Sequence, residues 1–290
     1  NGSDSGHVRV YQYSSGSWSQ LGSDIDGEAS SDYSGGSVSI NSDGTIVAIG
    51  AHKNDGNGTD LGHVRVYEYD SSKTTAETDQ NSSNFGPIGW TRLGSDIDGE
   101  ANYNYSGRSV SLSSDGTIVA IGAHFNYGGN VFRSGHVRVY QYNGSSWSQL
   151  GSDIDGEAAS DLSGLSVSLS SDGTIVAIGA NGNDGNGSDS GHVRVYQYSS
   201  GSWAQLGADI DGEAAGDEFG FSVSMSSDGT IVAIGARYND GNGSDSGHVR
   251  VYEYSNTVVV QDNDKLGSIE WYGSDGNDYA PAASIFARVN

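Results

Sequence analysis

One phrase governs what this chain can fold into. Gly-His-Val-Arg-Val-Tyr followed by Gln-Tyr or Glu-Tyr occurs five times, with its histidine at His7, His63, His136, His192 and His248. The intervals are 56, 73, 56 and 56 residues. A second phrase, Ser-Asp-Gly-Thr-Ile-Val-Ala-Ile-Gly-Ala, recurs with its aspartate at Asp43, Asp115, Asp172 and Asp228. A third, Trp-x-x-Leu-Gly, recurs at Trp18, Trp90, Trp147 and Trp203. The three phrases keep one order, the signature of a stacked or radially repeated unit.

Each unit reads as four short strands. In the first, Val38 and Ile40 alternate with Ser37, Ser39 and Asn41, the period of a strand with two unlike faces. After a Ser-Asp-Gly turn comes a continuously apolar run, as expected of a strand buried on both faces, and Gly50 within it marks close backbone approach. The third strand places Val8 and Val10 on one face and His7, Arg9, Tyr11 and Tyr13 on the other. The fourth carries the tryptophan, placed to cover the neighbouring unit. The 45 glycines and 2 prolines suit many tight turns, and no helix-period segment intervenes.

Four strands per unit in tandem predict an all-β fold, a β-propeller of four-stranded antiparallel blades. One blade cannot bury both faces, so stability requires its neighbours. The chain opens on strands three and four, runs through three full blades, and supplies strands one to three of another at 218–254. Residues 257–261 are the expected fourth strand of that blade. Two further runs, near Trp271 and Phe286, would pair with the N-terminal strands to give five blades, with the termini sharing one. We therefore divide the chain into propeller repeats, 1–256, and C-terminal strands, 257–290, which either close the ring or begin a fibre-like segment. The chain begins inside a repeat phrase and reads as a mature fragment of something longer.

The segment from Phe219 to Ala236 resembles the FG-GAP repeat of integrin alpha-chain propellers, and the likeness extends over residues 1 to about 255. It implies the propeller fold and a place among adhesion and surface proteins. Three copies depart from it with Ser34, Ser106 and Ser163 in place of Phe219, and the proline ending the motif is His52, His124, Asn181 or Arg237 here. Integrin-type calcium loops lie between strands one and two. Only a short turn stands there in this chain, so that calcium site is not carried over. The tail after Gln261 resembles short β segments of phage and virus tail-fibre proteins, which implies a virion setting.

With 13 basic and 37 acidic residues, the net charge of −24 opposes nucleic acid and anionic membrane surfaces as partners. No apolar run is long enough to span a bilayer, and the absence of cysteine excludes disulfides and thiolate metal sites.

The loop between strands two and three is where hard oxygen ligands gather. Asp55, Asn57 and Asp60 lie in one copy, Asp184, Asn186, Ser188 and Asp189 in another, and Asp240, Asn242 and Asp245 in a third. The set suits calcium, the only cofactor the sequence suggests, but Asp-Gly and Asn-Gly are equally turn chemistry. A second acidic cluster, Asp24, Asp26 and Glu28, returns at Asp96, Asp153 and Asp209 and reads first as a solvated loop between blades. One histidine per blade offers no chelating spacing; each reads as a structural residue bonded to backbone or carboxylate.

Catalysis needs one asymmetric constellation, and groups copied in every blade are structural or multivalent. We therefore expect no enzyme, although a polysaccharide-acting propeller stands as the minor alternative. Specific function should lie where the copies differ. One break is the insertion between Tyr69 and Trp90, read as either a binding loop or a surface excursion. Another is the loop after Ala123, which replaces the turn residues with Phe125, Tyr127, Phe132 and Arg133. These suit stacking on sugar rings or packing on a protein. The leading expectation is an extracellular or virion-surface adhesion or receptor-binding propeller, with glycan or cell-surface protein as partner. The alternative is an architectural unit without ligand.

Overall fold

The computed structural model describes residues 2–254 apart from 57, 128 and 130. Residues Asn1–Tyr254 form one compact unit. The described residues are all-β without an α-helix, and they make five successive antiparallel sheets.

The first sheet has two strands, β1 (His7–Ser14) and β2 (Ser17–Asp26). The second is built from β3 (Ser37–Ile40), β4 (Ile46–Ala51), β5 (His63–Tyr69), β6 (Trp90–Arg92) and β7 (Ile97–Asp98). The third repeats it with β8 (Ser109–Leu112), β9 (Ile118–Ala123), β10 (His136–Tyr142), β11 (Trp147–Gln149) and β12 (Ile154–Asp155). The fourth does so again with β13 (Ser166–Leu169), β14 (Ile175–Ala180), β15 (His192–Ser199), β16 (Ser202–Gln205) and β17 (Ile210–Asp211). The fifth has β18 (Phe219–Met225), β19 (Ile231–Ala236) and β20 (His248–Glu253). These are propeller blades, three complete and two partial. Among the described residues no strand pairing joins the first sheet to the fifth. The expected fourth strand at 257–261, and the tail runs expected to close the ring, lie outside the described residues.

The expected fourth strand is two short pieces in each complete blade, both paired with the third strand. The glycine of Trp-x-x-Leu-Gly stands at the break, although at the equivalent Gly22, φ +65°, β2 runs on with a bulge in its pairing. Gly94 and Gly151 have φ of +69° and +74°, a left-handed conformation that breaks an extended run.

Three devices recur at each interface between complete blades. Strand-one valine and its aliphatic partner face the preceding sheet: Val110 and Leu112 pack with Ala48, Val64 and Val66. The serine before that valine faces the following sheet, where Ser37 Oγ donates to Gly107 O at 2.7 Å and Ser109 Oγ to Gly164 O at 2.8 Å. The tryptophan reaches back, as the sequence led us to expect. Trp90, Trp147 and Trp203 donate Nε1–H to the carbonyls of Leu21, Leu93 and Leu150 at 3.0, 2.7 and 2.6 Å. Gly50 also behaves as expected, since a Cβ there would meet Gly107 O at 2.1 Å.

Candidate functional site

In the second to fifth sheets the residue just after strand two comes beside the loop that leads into strand one of the same sheet. That slot is where the copies differ: Tyr33 with His52, Tyr105 with His124, Leu162 with Asn181, Glu218 with Arg237. The loop residue of each pair is held in the left-handed region, φ +54°, +55°, +59° and +51°. Backbone bonds from Tyr33, Tyr105, Leu162 and Glu218 to the carbonyls of Asp4, Asp60, Arg133 and Asp189 hold it there.

In the first two slots the rings form a continuous row. Tyr33 lies 5.7 Å from His52, His52 lies 6.2 Å from Tyr105, and Tyr105 lies 6.0 Å from His124. The row continues into the aromatic loop, with Phe125 4.2 Å from His124 and edge-on to Tyr105 at 5.2 Å. Arg133 covers Phe125 at 4.4 Å and Phe132 at 5.1 Å, and exposed Phe132 and Tyr127 meet edge-on at 5.4 Å. Phe125, Tyr127, Phe132 and Arg133 are therefore brought together, joined by Tyr33, His52, Tyr105 and His124, which the sequence had not marked as site residues. In the last slot the row ends in an ion pair, Arg237 to Glu218 at 2.7 Å.

Two buried atoms in the row lack a hydrogen-bond partner, Nδ1 of His52 and Nδ1 of His124. Such atoms are rare and costly, and both lie at the ring row. Burial, with Arg108 nearby, lowers the pKa of His124 to about 3 and of His52 to about 4. Burial likewise lowers His136 to about 4. All three are neutral when folded, whereas the unfolded chain protonates them near pH 6.5. Stability is thus full above about pH 6.5 and falls as pH drops towards 4, because only the unfolded state gains protons there. Thermal melting between pH 7 and 4 should show this decline, and His124→Gln should flatten it. An identical slope in the variant would refute the assignment.

The loop oxygens of the calcium expectation close turns. Asp55, Asp184 and Asp240 each accept from the backbone N–H of Asp60, Asp189 and Asp245, at 2.9, 2.8 and 2.8 Å. Asn186 Nδ2 donates to Gly212 O at 2.7 Å, and Ser188 Oγ contacts Asp189 at 3.4 Å. The Asn242 backbone N–H donates to Ser246 Oγ at 3.3 Å. Asn57 lies outside the described residues. Beneath these loops buried Asn54, Asn183 and Asn239 donate to Asp32, Asp161 and Asp217, at 3.0, 3.3 and 2.8 Å.

Acidic groups and histidines converge elsewhere, between sheets. Glu28, His63 and Asp96 form one group, Glu100, His136 and Asp153 a second, and Glu157, His192 and Asp209 a third, with ligand atoms within 4.8 Å. A cation already stands at each. Arg65 bridges Glu28 and Asp96, while Arg138 and Arg194 reach Glu100 and Glu157 at 3.3 and 3.0 Å. Burial alone would raise the pKa of Asp96, but its bonds from Arg65 outweigh that and hold it low. In these three copies the His-x-Arg phrase joins blades through its arginine, and burial holds the imidazole of His63, His136 and His192 below its ordinary pKa.

The insertion at 70–89 is packed. Buried Lys73 donates to Trp90 O at 2.8 Å, Glu77 and Gly86 form an antiparallel bridge, and Arg92 covers the Phe85 ring at 4.6 Å. With the first sheet it borders an open cleft of about 410 Å³ lined by Asp24, Glu28, Arg65, Gln80 and Phe85 among others.

Residues 154–196 and 206–252 match the FG-GAP repeat family. No curated protein matches the chain. Among solved structures it is similar to the hydrazine synthase of Kuenenia stuttgartiensis, with 12% identity and a TM-score of 0.42, over 75% of this chain and 45% of that one. It is also similar to a complex of KlAtg21 with the coiled coil of AgAtg16, with 11% identity and a TM-score of 0.46, over 76% of this chain and 53% of that one. The chain spans about half the length of these two structures. Two of its repeats, at 154–196 and 206–252, thus match the FG-GAP repeat, and they fall within the fourth and fifth sheets and the strand that precedes them.

Proposed function

We propose that this chain is the binding domain of a non-catalytic adhesion protein displayed outside the cell or on a virion, and that its ligand is a glycan. The observation that carries the reading is the ring row from Tyr33 to Phe125, extended by Tyr127, Phe132 and Arg133. Sugar rings present flat C–H faces to aromatic rings and hydroxyls to polar groups. The row and its extension supply both: exposed rings at Tyr33, Tyr127 and Phe132, and beside them the exposed guanidinium of Arg133. A protein partner would use the same aromatics as anchors.

Glycan-array binding of the wild type, lost in a Phe125→Ala, Tyr127→Ala, Phe132→Ala variant with unchanged melting, is the expected outcome. Each ring contributes about 1 kcal/mol, so single variants should weaken binding roughly five-fold. Absence of binding to any glycan by wild-type protein of normal fold would refute the proposal.

A further inference from the structure

Acidic residues outnumber basic ones 37 to 13, so every cation of this chain has carboxylates to spare. Among the described residues, Arg9, Arg65, Arg92, Arg138, Arg194, Arg237 and Arg250 each pair with one. Lys73 is buried against backbone carbonyls. The described cations left without a carboxylate are Lys53, Arg108 and Arg133, and all of them stand along the ring row. Lys53 Nζ lies over the Tyr33 ring at 4.8 Å. Arg108 is tied to Tyr105, its backbone N–H donating to Tyr105 O at 3.2 Å, and its charge joins burial in keeping His52 and His124 neutral. Arg133 covers Phe125 and Phe132. Asp60 is the acid beside them, and it accepts from the Tyr105 hydroxyl at 3.5 Å. Lys53 follows β4, while Arg108 and Arg133 precede β8 and β10, so these cations belong to the second and third sheets, which have described sheets on both sides.

We propose that the glycan bound at the ring row is acidic, its carboxylate or sulfate groups taken by Lys53, Arg108 and Arg133 while its sugar faces lie on the rings. The inference rests on the glycan reading above and names the class of sugar. A guanidinium held over a ring keeps its in-plane N–H donors for a carboxylate or sulfate, and in a chain so rich in acids the cations left unpaired are the ones that can receive an anion from outside. The net charge of −24 opposes an anion approaching from afar, but at about 0.15 M salt charges beyond about 8 Å are largely screened, whereas the row acts in contact. The same charge sets the size of the ligand. A long polyanion would lie across the acidic remainder of the surface; a short acidic oligosaccharide lies on the row alone.

The test is an array carrying sialylated, uronic-acid and sulfated glycans, each beside its neutral counterpart, probed with the whole chain and followed by calorimetry of the best pair at about 0.15 M salt. The acidic member should bind about ten-fold or more tighter than the neutral one, and whether carboxylate or sulfate pairs show the preference tells which group is taken. Lys53→Gln, Arg108→Gln and Arg133→Gln together should bring that preference down towards unity, while Arg108→Lys and Arg133→Lys, which keep the charge, should retain most of it. If the triple variant melts early, Lys53→Gln with Arg133→Gln takes its place. Equal binding of acidic and neutral members, still lost in the Phe125, Tyr127 and Phe132 variant, would overturn this inference and leave the glycan reading standing. Hexaglutamate binding as tightly as the best acidic glycan would overturn it in favour of an acidic protein partner. No binding to any glycan would overturn both.

Discussion

Gly122→Ala is expected to cost about 3 kcal/mol or more in folding stability, read as a lowered denaturation midpoint. A Cβ at Gly122 would lie 2.0 Å from Gly164 O, a backbone atom of the next sheet that cannot rotate away. Gly164 is itself fixed, since its φ of +87° admits few other residues, and its carbonyl accepts from Ser109 at 2.8 Å. Relief therefore requires the third and fourth sheets to separate, loosening Ile118, Val137, Val167 and Val176 together. Gly235→Ala is the internal control. It occupies the same place in the fifth sheet, but the nearest atom to its Cβ is the rotatable Ser222 Oγ at 2.5 Å, and no backbone of another sheet stands among its nearest atoms. Its cost should stay within about 1 kcal/mol. Equal effects of the two substitutions would show that the glycine is not kept for the approach of the next blade.

Trp90→Ala should lose about 3–5 kcal/mol, the cost of emptying a large buried aromatic site. The indole is 0% exposed, lies beside Tyr69 with ring centres 5.3 Å apart, and donates to Leu21 O at 3.0 Å. Removing it leaves a cavity and an unpaired carbonyl at the junction of the first two sheets. Trp18→Ala, at the same repeat position but 68% exposed, should change stability by less than about 0.5 kcal/mol. Chemical denaturation of the two variants side by side decides this; a similar loss from both would assign the tryptophan's worth to its own strand rather than to the neighbouring blade.

These contrasts show what was legible in the sequence. Residues that act within one repeat, or on its neighbour in the same way each time, leave a periodic trace. The close approach at Gly50 and the covering role of the tryptophans were readable from it; the alternation at Val38 and Ile40 gave two faces but not their burial, since both residues are exposed. The division of the fourth strand was not readable, because the glycine at the break reads equally as a packing residue and, at Gly22, leaves β2 undivided. The ring row was half legible. Phe125, Tyr127, Phe132 and Arg133 stand together in the chain, whereas Tyr33, His52, Tyr105 and His124 meet only because the blades stack. Their signal was present as disagreement among copies, in the residues that replace the proline and the phenylalanine-adjacent position of the motif. The pairing of those two variable positions needed the structure.

The sameness of the interfaces also bears on how the chain reaches its fold. Serine, glycine, valine and tryptophan make the contact at each junction between complete blades, so a sheet meeting the wrong sheet there finds much the same partner as the right one. Contact chemistry alone then offers little to reject a slip of one repeat. What favours the correct neighbour is chain connection: skipping a repeat lengthens the loop to be closed by 56 residues, and each doubling of a loop adds only about 0.6 kcal/mol. Correct order is thus favoured first by speed, because the adjacent sheet arrives sooner. The packed insertion at 70–89 marks one repeat as unlike the others and gives an otherwise uniform series a fixed point from which to count.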